Sequence, residues 1–194
     1  MRCDYCYNKD IVFSKSGQLT FQDVLEFLKK RVGLLDGVVL SGGEATQHYL
    51  INFCKEVKKL GFLIKLDTNG TNFNQIRSLI DLNLIDYIAL DYKAPKYKFT
   101  KITHSSKFSE FSKTLEFLIQ KNFLFEVRTT IHNDLLDETD INEIINDLYK
   151  KGYKYKYYLQ NYLHTNNSIA NMQVSKKSFD KELLNDKLNT VVWR

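Results

Sequence analysis

The sequence predicts an α/β protein in which a mainly parallel sheet is covered by helices on its outer side. Short apolar runs of strand length alternate along the chain with segments whose apolar residues recur at helical spacing. This alternation requires right-handed crossovers, which join parallel strands. Polar residues also follow the apolar runs directly, as Ser41, Asp67 and Asp91 do. That second observation favours an open or closed α/β barrel over a doubly wound sheet.

The predicted elements follow one another in a regular order. Thr20 and Asp23 form a capping box that opens a helix ending at Gly33. Five strands are predicted after it, at 37–41, 62–66, 87–90, 125–131 and 155–159. Four helices alternate with these strands, at 46–60, 73–83, 108–121 and 138–151. The tail is predicted to form a last helix over 175–188 and an edge strand over 190–193.

Length and composition bound the class of protein. All 194 residues, 1–194, are expected to form one domain, because a single proline and eight glycines leave no obvious linker. A net charge of +5 comes from lysines and arginines spread over helices, so no nucleic-acid partner is expected. No apolar run is long enough to cross a membrane and no export leader is recognisable, which predicts a cytoplasmic protein with no membrane partner.

Three cysteines are present, and two of them stand close together near the start of the chain. Cys3 and Cys6, in the stretch 2–8, have the spacing of cluster ligands on a short loop. The same spacing also suits zinc with a second pair elsewhere, or thiol–disulfide exchange. Cys54 lies on the apolar face of a predicted helix and is expected to be a core thiol.

Polar residues follow each of the predicted strands at the same end. Because the carboxyl ends of parallel strands meet at one edge of a sheet, these residues are expected to line a single cavity. The residues are Ser41 to Glu44, Asp67 to Gly70, Asp91 and Lys93, Arg128 to His132, and Gln160 to Tyr162.

Several of these residues suit the binding of a zwitterionic ligand. Gly42 and Gly43 allow the backbone to approach a ligand closely, and Glu44 offers a carboxylate to an ammonium group. Glu44 is equally suited to a helix start. Asp91 and Lys93 stand two apart on an extended segment, so they point the same way and suit a ligand's ammonium and carboxylate or a mutual ion pair.

Two further positions carry a weaker or a different signal. Asn69 and Gly70 form a common turn dipeptide, so the stretch Asp67–Gly70, taken by itself, is better explained by a turn than by a site. Arg128 lies in the middle of an apolar strand, where a guanidinium needs an anion or several acceptors.

Taken together, these stretches resemble the radical S-adenosylmethionine superfamily, and within it the activating enzymes of glycyl-radical enzymes, especially the anaerobic ribonucleotide reductase activating proteins. The resemblance extends from Cys3 to about Tyr162. It rests on the cysteine pair and on the stretches 41–47, 65–70 and 90–95, with Ala45 in place of a more usual proline.

The resemblance implies a partial (β/α)6 barrel and two cofactors, a [4Fe-4S] cluster and S-adenosylmethionine. Cys3 and Cys6 match the last two cysteines of the Cys-x-x-x-Cys-x-x-Cys motif that holds the cluster. The remaining matches are expected to bind S-adenosylmethionine, with the Gly-Gly-Glu stretch at the methionine amino group. These residues are Gly42, Gly43, Glu44, Asp67, Asn69, Asp91, Lys93 and Arg128. No residue is assigned as catalytic.

The implied activity is reductive cleavage of S-adenosylmethionine to a 5′-deoxyadenosyl radical, which then installs a glycyl radical on a partner enzyme. Anaerobic ribonucleoside-triphosphate reductase is the favoured partner, and a flavodoxin or ferredoxin-type protein is the expected electron donor. The first motif cysteine would stand before Met1, so the first barrel strand is also expected to be missing and the true start to lie upstream. The alternatives are a radical enzyme acting on a small molecule and a truncated, cluster-free, non-catalytic relative.

Overall fold

Parallel strands form one continuous sheet in which the spatial order follows the chain. The computed structural model describes residues 1–14, 16–165 and 167–194. Every neighbouring pair of strands is parallel, which confirms the predicted crossover pattern. The strands are β1 (Gly37–Leu40), β2 (Leu63–Thr68), β3 (Tyr87–Asp91), β4 (Phe125–Ile131), β5 (Tyr157–Asn161) and β6 (Val191–Trp193).

Helices connect successive strands through β5, while an irregular tail leads from β5 to β6. The α-helices are α1 (Lys9–Phe13), α2 (Phe21–Lys29), α3 (Ile51–Lys59), α4 (Phe73–Asp81), α5 (Lys96–Thr103), α6 (Phe108–Gln120) and α7 (Glu138–Lys150). Two short 3-10 turns complete the set, at Ala45–Gln47 and Lys181–Leu183. None of the described helices has the length and apolarity that crossing a membrane would need.

The two faces of the sheet differ in burial because side chains alternate along each strand. In β2, Ile64, Leu66 and Thr68 are buried, whereas Lys65 and Asp67 on the opposite face are only partly covered. The core therefore lies between one face of the sheet and the helices. Its fully buried members include Val57, Ile76, Leu90, Leu115, Val127 and Ile144. The opposite face carries the charged residues that the sequence placed at strand ends.

The N-terminal half departs from the predicted helices at two places. The predicted helix over 46–60 divides into the turn Ala45–Gln47 and α3. The Glu44 side chain caps the turn, and His48 after it has an extended backbone, so the α-helix begins only at Ile51. The helices α1 and α5 were not predicted. The capping box of Thr20 and Asp23 is confirmed, with each partner bonded to the backbone of the other.

The predicted tail helix over 175–188 is wrong. In its place the chain has an irregular path with the single turn Lys181–Leu183. The backbone N–H groups of Lys176 and Lys177 donate to the Asp134 carboxylate, and that of Asp180 donates to Glu138. Side-chain acceptors from the β4–α7 region therefore take donors that a helix would bond internally. The edge strand that follows the tail is confirmed as β6, parallel to β5.

Candidate functional site

A continuous chain of charges joins the carboxyl ends of β2 and β3 to the middle of β4. Arg128 lies beside Asp91 in the register, and its Nε donates to Asp91 Oδ1 at 2.9 Å. Its Nη1 reaches Asp67 Oδ2 at 3.4 Å, and Lys93 Nζ donates to the other oxygen of Asp91 at 3.0 Å. Ser41 at the end of β1 donates to Asp67 at 3.2 Å. The guanidinium thus has the anions that its position in an apolar strand requires.

The same contacts fix the charge state of these groups. Burial opposes the charge of Asp91, but Lys93 and Arg128 outweigh burial and hold the pKa of this carboxyl below its usual range. Burial would lower the pKa of Lys93, but Asp91 outweighs that effect and the pKa is raised. The pKa of Arg128 is raised in the same way. All of these groups are therefore charged at neutral pH.

One atom of this chain of charges lacks a hydrogen bond. Asp67 Oδ1 is buried and accepts no hydrogen bond from the described residues, although the Lys65 ammonium lies 3.3 Å away. A buried carboxylate oxygen usually has a donor, so this atom has capacity for one more. It faces the same side of the sheet as Asp91 and Arg128.

Glu44 lies at the same edge of the sheet but has a different environment. Its Oε1 accepts from the hydroxyls of Thr46 and Thr68 at 2.6 and 2.7 Å and from the Thr46 N–H at 3.3 Å. Its Oε2 accepts from the Asn69 N–H at 2.7 Å. All of these donors are neutral, and among the described residues no Lys, Arg or His forms an ion pair with Glu44. The carboxylate is oriented but not neutralised.

Gly42 and Gly43 form the turn that leads to Glu44. Both have left-handed φ values, +83° and +57°, which side-chain-bearing residues rarely adopt. A Cβ at Gly43 would also come within 3.3 Å of Ile11 in α1. The two glycines are therefore required by the turn and by the close approach of α1, as well as suited to a ligand.

Asn69 has a structural role within this edge. Its Oδ1 accepts from the N–H and the hydroxyl of Thr71, at 3.0 and 2.6 Å, in an Asx turn. Its own N–H is one of the donors to Glu44. The turn explanation of this stretch is therefore correct, and the turn also shapes the site by orienting Glu44.

The cysteine loop, residues 3–6, lies next to the charged residues. Cys3 is buried and Cys6 partly buried, and the Cys6 N–H donates to the Cys3 carbonyl at 3.0 Å. Burial raises the pKa of the Cys3 thiol, and Lys93 partly offsets that rise. Tyr5 stands between the two cysteines, with Lys93 Nζ 5.9 Å from its ring centroid. The Tyr5 hydroxyl is buried and has no hydrogen-bond partner among the described residues.

His132, predicted at a strand end, and Cys54, predicted on the apolar face of a helix, do not join this site. His132 packs against Tyr162, with ring centroids 5.0 Å apart, and bonds the Gln173 carbonyl of the tail. Cys54 is fully buried in α3, as expected of a core thiol, and burial raises its pKa to about 11.

Sequence reasoning missed Tyr5 and His104, which shape the site. Tyr5 lies beside Lys93, and His104 contacts the cysteine loop. Thr46 and Thr68 lie in the stretches 41–47 and 65–70 that carry the family resemblance, but their role in orienting Glu44 was not predicted. The position of Tyr5 between two candidate ligands was a usable signal, whereas no local pattern marks His104.

A solvent-accessible cavity of about 260 Å³ lies beside Glu44. Its lining includes Met1, Thr46, Asn72 and Lys107. Met1, two residues before Cys3, and Glu44 therefore share one hollow, at the edge where ligands of parallel sheets bind. Among the described residues, Cys3, Cys6, Asp91 and Arg128 do not line this hollow, so it does not join all the residues predicted to line a single cavity.

The description "Radical SAM superfamily" belongs to the family model that matches residues 1–148. The chain belongs to the radical SAM superfamily. A protein of Methanocaldococcus jannaschii provisionally named as a glycyl-radical enzyme activating enzyme is 33% identical over 154 residues, covering 74% of this chain and 62% of its own length. A protein of Haemophilus influenzae with the same provisional name is 32% identical over 88 residues, covering 42% of this chain and 34% of its own length. The chain thus spans less than two thirds of either relative.

Solved radical SAM structures share the fold. The structure titled anSMEcpe with bound AdoMet has a TM-score of 0.64 at 18% identity, covering 87% of this chain and 52% of its own. A domain of pyruvate-formate lyase-activating enzyme from Bacteroides vulgatus has a TM-score of 0.63 at 16% identity. The match covers 82% of this chain and 99% of that domain. SuiB of Streptococcus suis bound to S-adenosylmethionine has a TM-score of 0.64 at 14% identity, covering 84% and 36%. These likenesses confirm the partial (β/α)6 barrel.

The radical SAM family uses a [4Fe-4S] cluster and S-adenosylmethionine, which confirms the predicted cofactors. The residues present fit these groups in part. Glu44 has no ion pair with a Lys, Arg or His among the described residues and is held by neutral donors, and Cys3 and Cys6 supply two soft thiol ligands. Among residues 1–14, 16–165 and 167–194, no group of three or more His, Cys, Asp or Glu side chains is arranged to hold a metal.

Proposed function

We propose that this chain forms the S-adenosylmethionine-binding barrel of a glycyl-radical enzyme activating enzyme in the cytoplasm. The observation that carries the proposal is Glu44, a carboxylate held by neutral donors beside a two-glycine turn, in a cavity that also includes Met1 next to the cysteine loop. Such a carboxylate suits the amino group of a methionine moiety. The provisional names of the two relatives favour this branch of the family.

The cysteines, the carboxylates and Arg128 would have separate roles in binding the cofactors. Cys3 and Cys6 would bind the cluster, and Glu44 with the carbonyls of the Gly42–Gly43 turn would hold the methionine ammonium. Arg128 would act through Asp67 and Asp91, which it already bridges, rather than by contacting the ligand. When bound, the cluster would supply the electron for reductive cleavage of the carbon–sulfur bond of S-adenosylmethionine, which is the source of the radical chemistry that an activating enzyme directs at a glycine.

The first test measures cofactor chemistry. The protein is reconstituted anaerobically with iron and sulfide, iron per chain is counted, and 5′-deoxyadenosine is measured after reduction. The assay uses the chain and a form extended upstream in its reading frame. Cys3→Ser and Cys6→Ser should abolish iron uptake and product, whereas the matched control Cys54→Ala should retain both. Iron uptake that is insensitive to Cys3 and Cys6 would refute the proposal.

The second test identifies the partner. We propose anaerobic ribonucleoside-triphosphate reductase as the acceptor and a flavodoxin or ferredoxin-type protein as the electron donor. Electron paramagnetic resonance should detect a glycyl radical on the reductase after incubation with the reduced protein and S-adenosylmethionine. A pyruvate formate-lyase serves as the comparison. A radical on the lyase alone would reassign the partner, and 5′-deoxyadenosine without any protein radical would favour a small-molecule substrate.

A further inference from the structure

The cysteine loop is folded against the rest of the chain on two sides. On the first side, the carboxyl end of α5 accepts from the backbone of Asp4 in the loop and of Arg2 directly before the loop. The Arg2 N–H donates to the Thr103 carbonyl at 3.1 Å, and the Asp4 N–H donates to the Ile102 carbonyl at 3.3 Å. These carbonyls belong to the last turn of the helix, where acceptors have no partner within the helix. The loop therefore completes the hydrogen bonding of α5.

His104 adds a side-chain contact on this first side. It is the residue that ends α5, with a left-handed φ of +51°, and its Nε2 lies 2.7 Å from Asp4 Oδ1. A left-handed residue at this position turns the chain away from the helix axis. Here that turn brings the imidazole to the aspartate between the two cysteines.

The second side is formed by a stretch of the tail, residues 168–172, called here the tail segment. The Ile169 N–H donates to the Cys6 carbonyl and the Ala170 N–H donates to the Asp4 carbonyl, both at 3.0 Å. Ser168 is fully buried, and its hydroxyl accepts from the Met172 N–H at 2.6 Å, which closes the segment into a turn. The tail segment lies beyond residue 148, where the match to the family model ends.

Asp4 is the point at which the two sides meet. Its N–H bonds α5, its carbonyl bonds the tail segment and its carboxylate bonds His104. Every polar group of the residue next to Cys3 is therefore bonded to an element outside the loop. A loop held in this way does not have to order itself when a ligand arrives, which removes a cost that flexible binding loops bear.

We propose that His104 and the tail segment are positioning elements that hold the cysteine loop in its ligand-binding shape before any cluster is present. The purpose of this arrangement rests on the proposed cluster-binding role of Cys3 and Cys6, but the arrangement itself does not. It can therefore be tested on the cluster-free chain.

The test follows the alkylation of each cysteine by iodoacetamide in the reduced, cluster-free chain, with mass spectrometry of the peptides. Cys54 is fully buried in the core and serves as an internal reporter of global unfolding. His104→Gly removes the imidazole while keeping a residue that accepts the left-handed φ. Ala170→Pro removes the N–H that bonds Asp4. The matched controls are His104→Gln, which retains a donor that can reach Asp4, and Ala170→Ser, which retains the N–H.

Each disruptive variant should raise the alkylation rate of Cys3 by about fivefold, as expected for the loss of one hydrogen bond that holds a local structure closed. The rate at Cys54 should not change, and both control variants should behave like the unaltered chain. An unchanged Cys3 rate in both disruptive variants would overturn the proposal. Equal acceleration at Cys54 would also overturn it, because the contacts would then stabilise the whole chain rather than the loop.

The result is separable from the proposed function. Protected thiols in a chain that forms no 5′-deoxyadenosine under any condition would refute the radical chemistry and leave the positioning role intact. Freely reactive thiols in a chain that does form 5′-deoxyadenosine would refute the positioning role and leave the radical chemistry intact.

Discussion

Two carboxylate clusters at the same edge of the sheet are held in opposite ways. The Glu44 cluster, formed by Glu44, Thr46, Thr68 and Asn69, orients one carboxylate with neutral donors only. The Asp91 cluster, formed by Asp67, Asp91, Lys93 and Arg128, pairs each carboxylate with a cation. Hydrogen bonds from hydroxyls and amides fix the position of a charge but leave its field in place, whereas a cation cancels it.

This difference assigns different roles to the two clusters. A ligand ammonium gains more from Glu44, because no protein cation competes for that carboxylate. The Asp91 cluster pairs both of its carboxylates with its own cations and ties three strands together. Of the two carboxylates that the sequence offered to a zwitterion, Asp91 is the one already neutralised, and its partner Lys93 belongs to the same chain of charges.

The strongest way to break the comparison is to remove the central cation. Arg128→Met leaves Asp67 and Asp91 facing each other without the guanidinium that bridges them, and should lower the free energy of unfolding by about 3 kcal/mol. Urea denaturation measures the change. The matched control is Arg77→Met, since Arg77 pairs with Asp81 at 3.4 Å on the surface and should contribute less than about 1 kcal/mol. Equal effects would contradict the central role of Arg128.

Asp91→Asn tests the same cluster through the pH dependence of stability. At pH 7 it removes the charge that pairs with Lys93 and Arg128, so it should lower the free energy of unfolding by about 2 kcal/mol. Because the folded-state pKa of Asp91 is lowered, its stabilising effect is present above the unfolded-state pKa of about 3.9 and disappears as the pH falls through the folded-state value.

The measurement is urea denaturation of this variant and the unaltered chain at pH 7 and pH 3. The difference between the two proteins should shrink at the lower pH. Asp186→Asn on the surface is the control and should show little difference at either pH. A difference for Asp91→Asn that grows on acidification would show the wrong sign and contradict the assignment.

Glu44→Gln sharpens the comparison from the other side. The substitution keeps the shape of the side chain but removes its charge, so affinity for S-adenosylmethionine should fall by about 30-fold, or about 2 kcal/mol. Isothermal titration of the anaerobically reconstituted protein measures it. Asp91→Asn is the matched comparison, and its loss of affinity should be smaller than its loss of stability. If Asp91→Asn lost more affinity for S-adenosylmethionine than Glu44→Gln, the ammonium site would be reassigned to Asp91.

Thr68→Val gives the smallest expected effect. The buried Thr68 hydroxyl donates to Glu44 and accepts from the Gly70 N–H, at 2.7 and 3.1 Å. Its loss should cost about 1 kcal/mol of stability and leave one fewer donor on the carboxylate. Thermal unfolding measures the effect, with Thr100→Val on exposed α5 surface as the control. A neutral result at Thr68 would mean that the remaining donors suffice to orient Glu44.

Much of the fold could be predicted because it is encoded in local patterns. Strand β4 at Phe125–Ile131 matches its predicted bounds, and helix α6 differs from the prediction by one residue. These elements have long, regular apolar periodicity. The tail helix over 175–188 failed because its backbone donors bond Asp134 and Glu138, acceptors that lie about forty residues earlier in the chain.

For the candidate site, the sequence likewise predicted the residues that local patterns mark but not the contacts between them. The residues at the strand ends could be named because parallel strands place their carboxyl ends together. Their partners could not be assigned. Whether Lys93 binds a ligand or pairs with Asp91 depends on the position of the Arg128 guanidinium, which the sequence does not give. No sequence pattern marks His104, because its contact with Asp4 joins two residues that are 100 positions apart in the chain.

The sequence by itself determined the alternation of strands and helices, the edge of the sheet where polar residues collect, and the pair of thiols near Met1. Those properties follow from periodicity and spacing, which are local. Only the tertiary structure decided which carboxylate is neutralised, which one remains free, and what holds the cysteine loop. Each of these depends on contacts of 3.4 Å or less between groups from distant parts of the chain. Hydrogen-bond and electrostatic energies fall off steeply with distance in space, and distance along the sequence does not report distance in space.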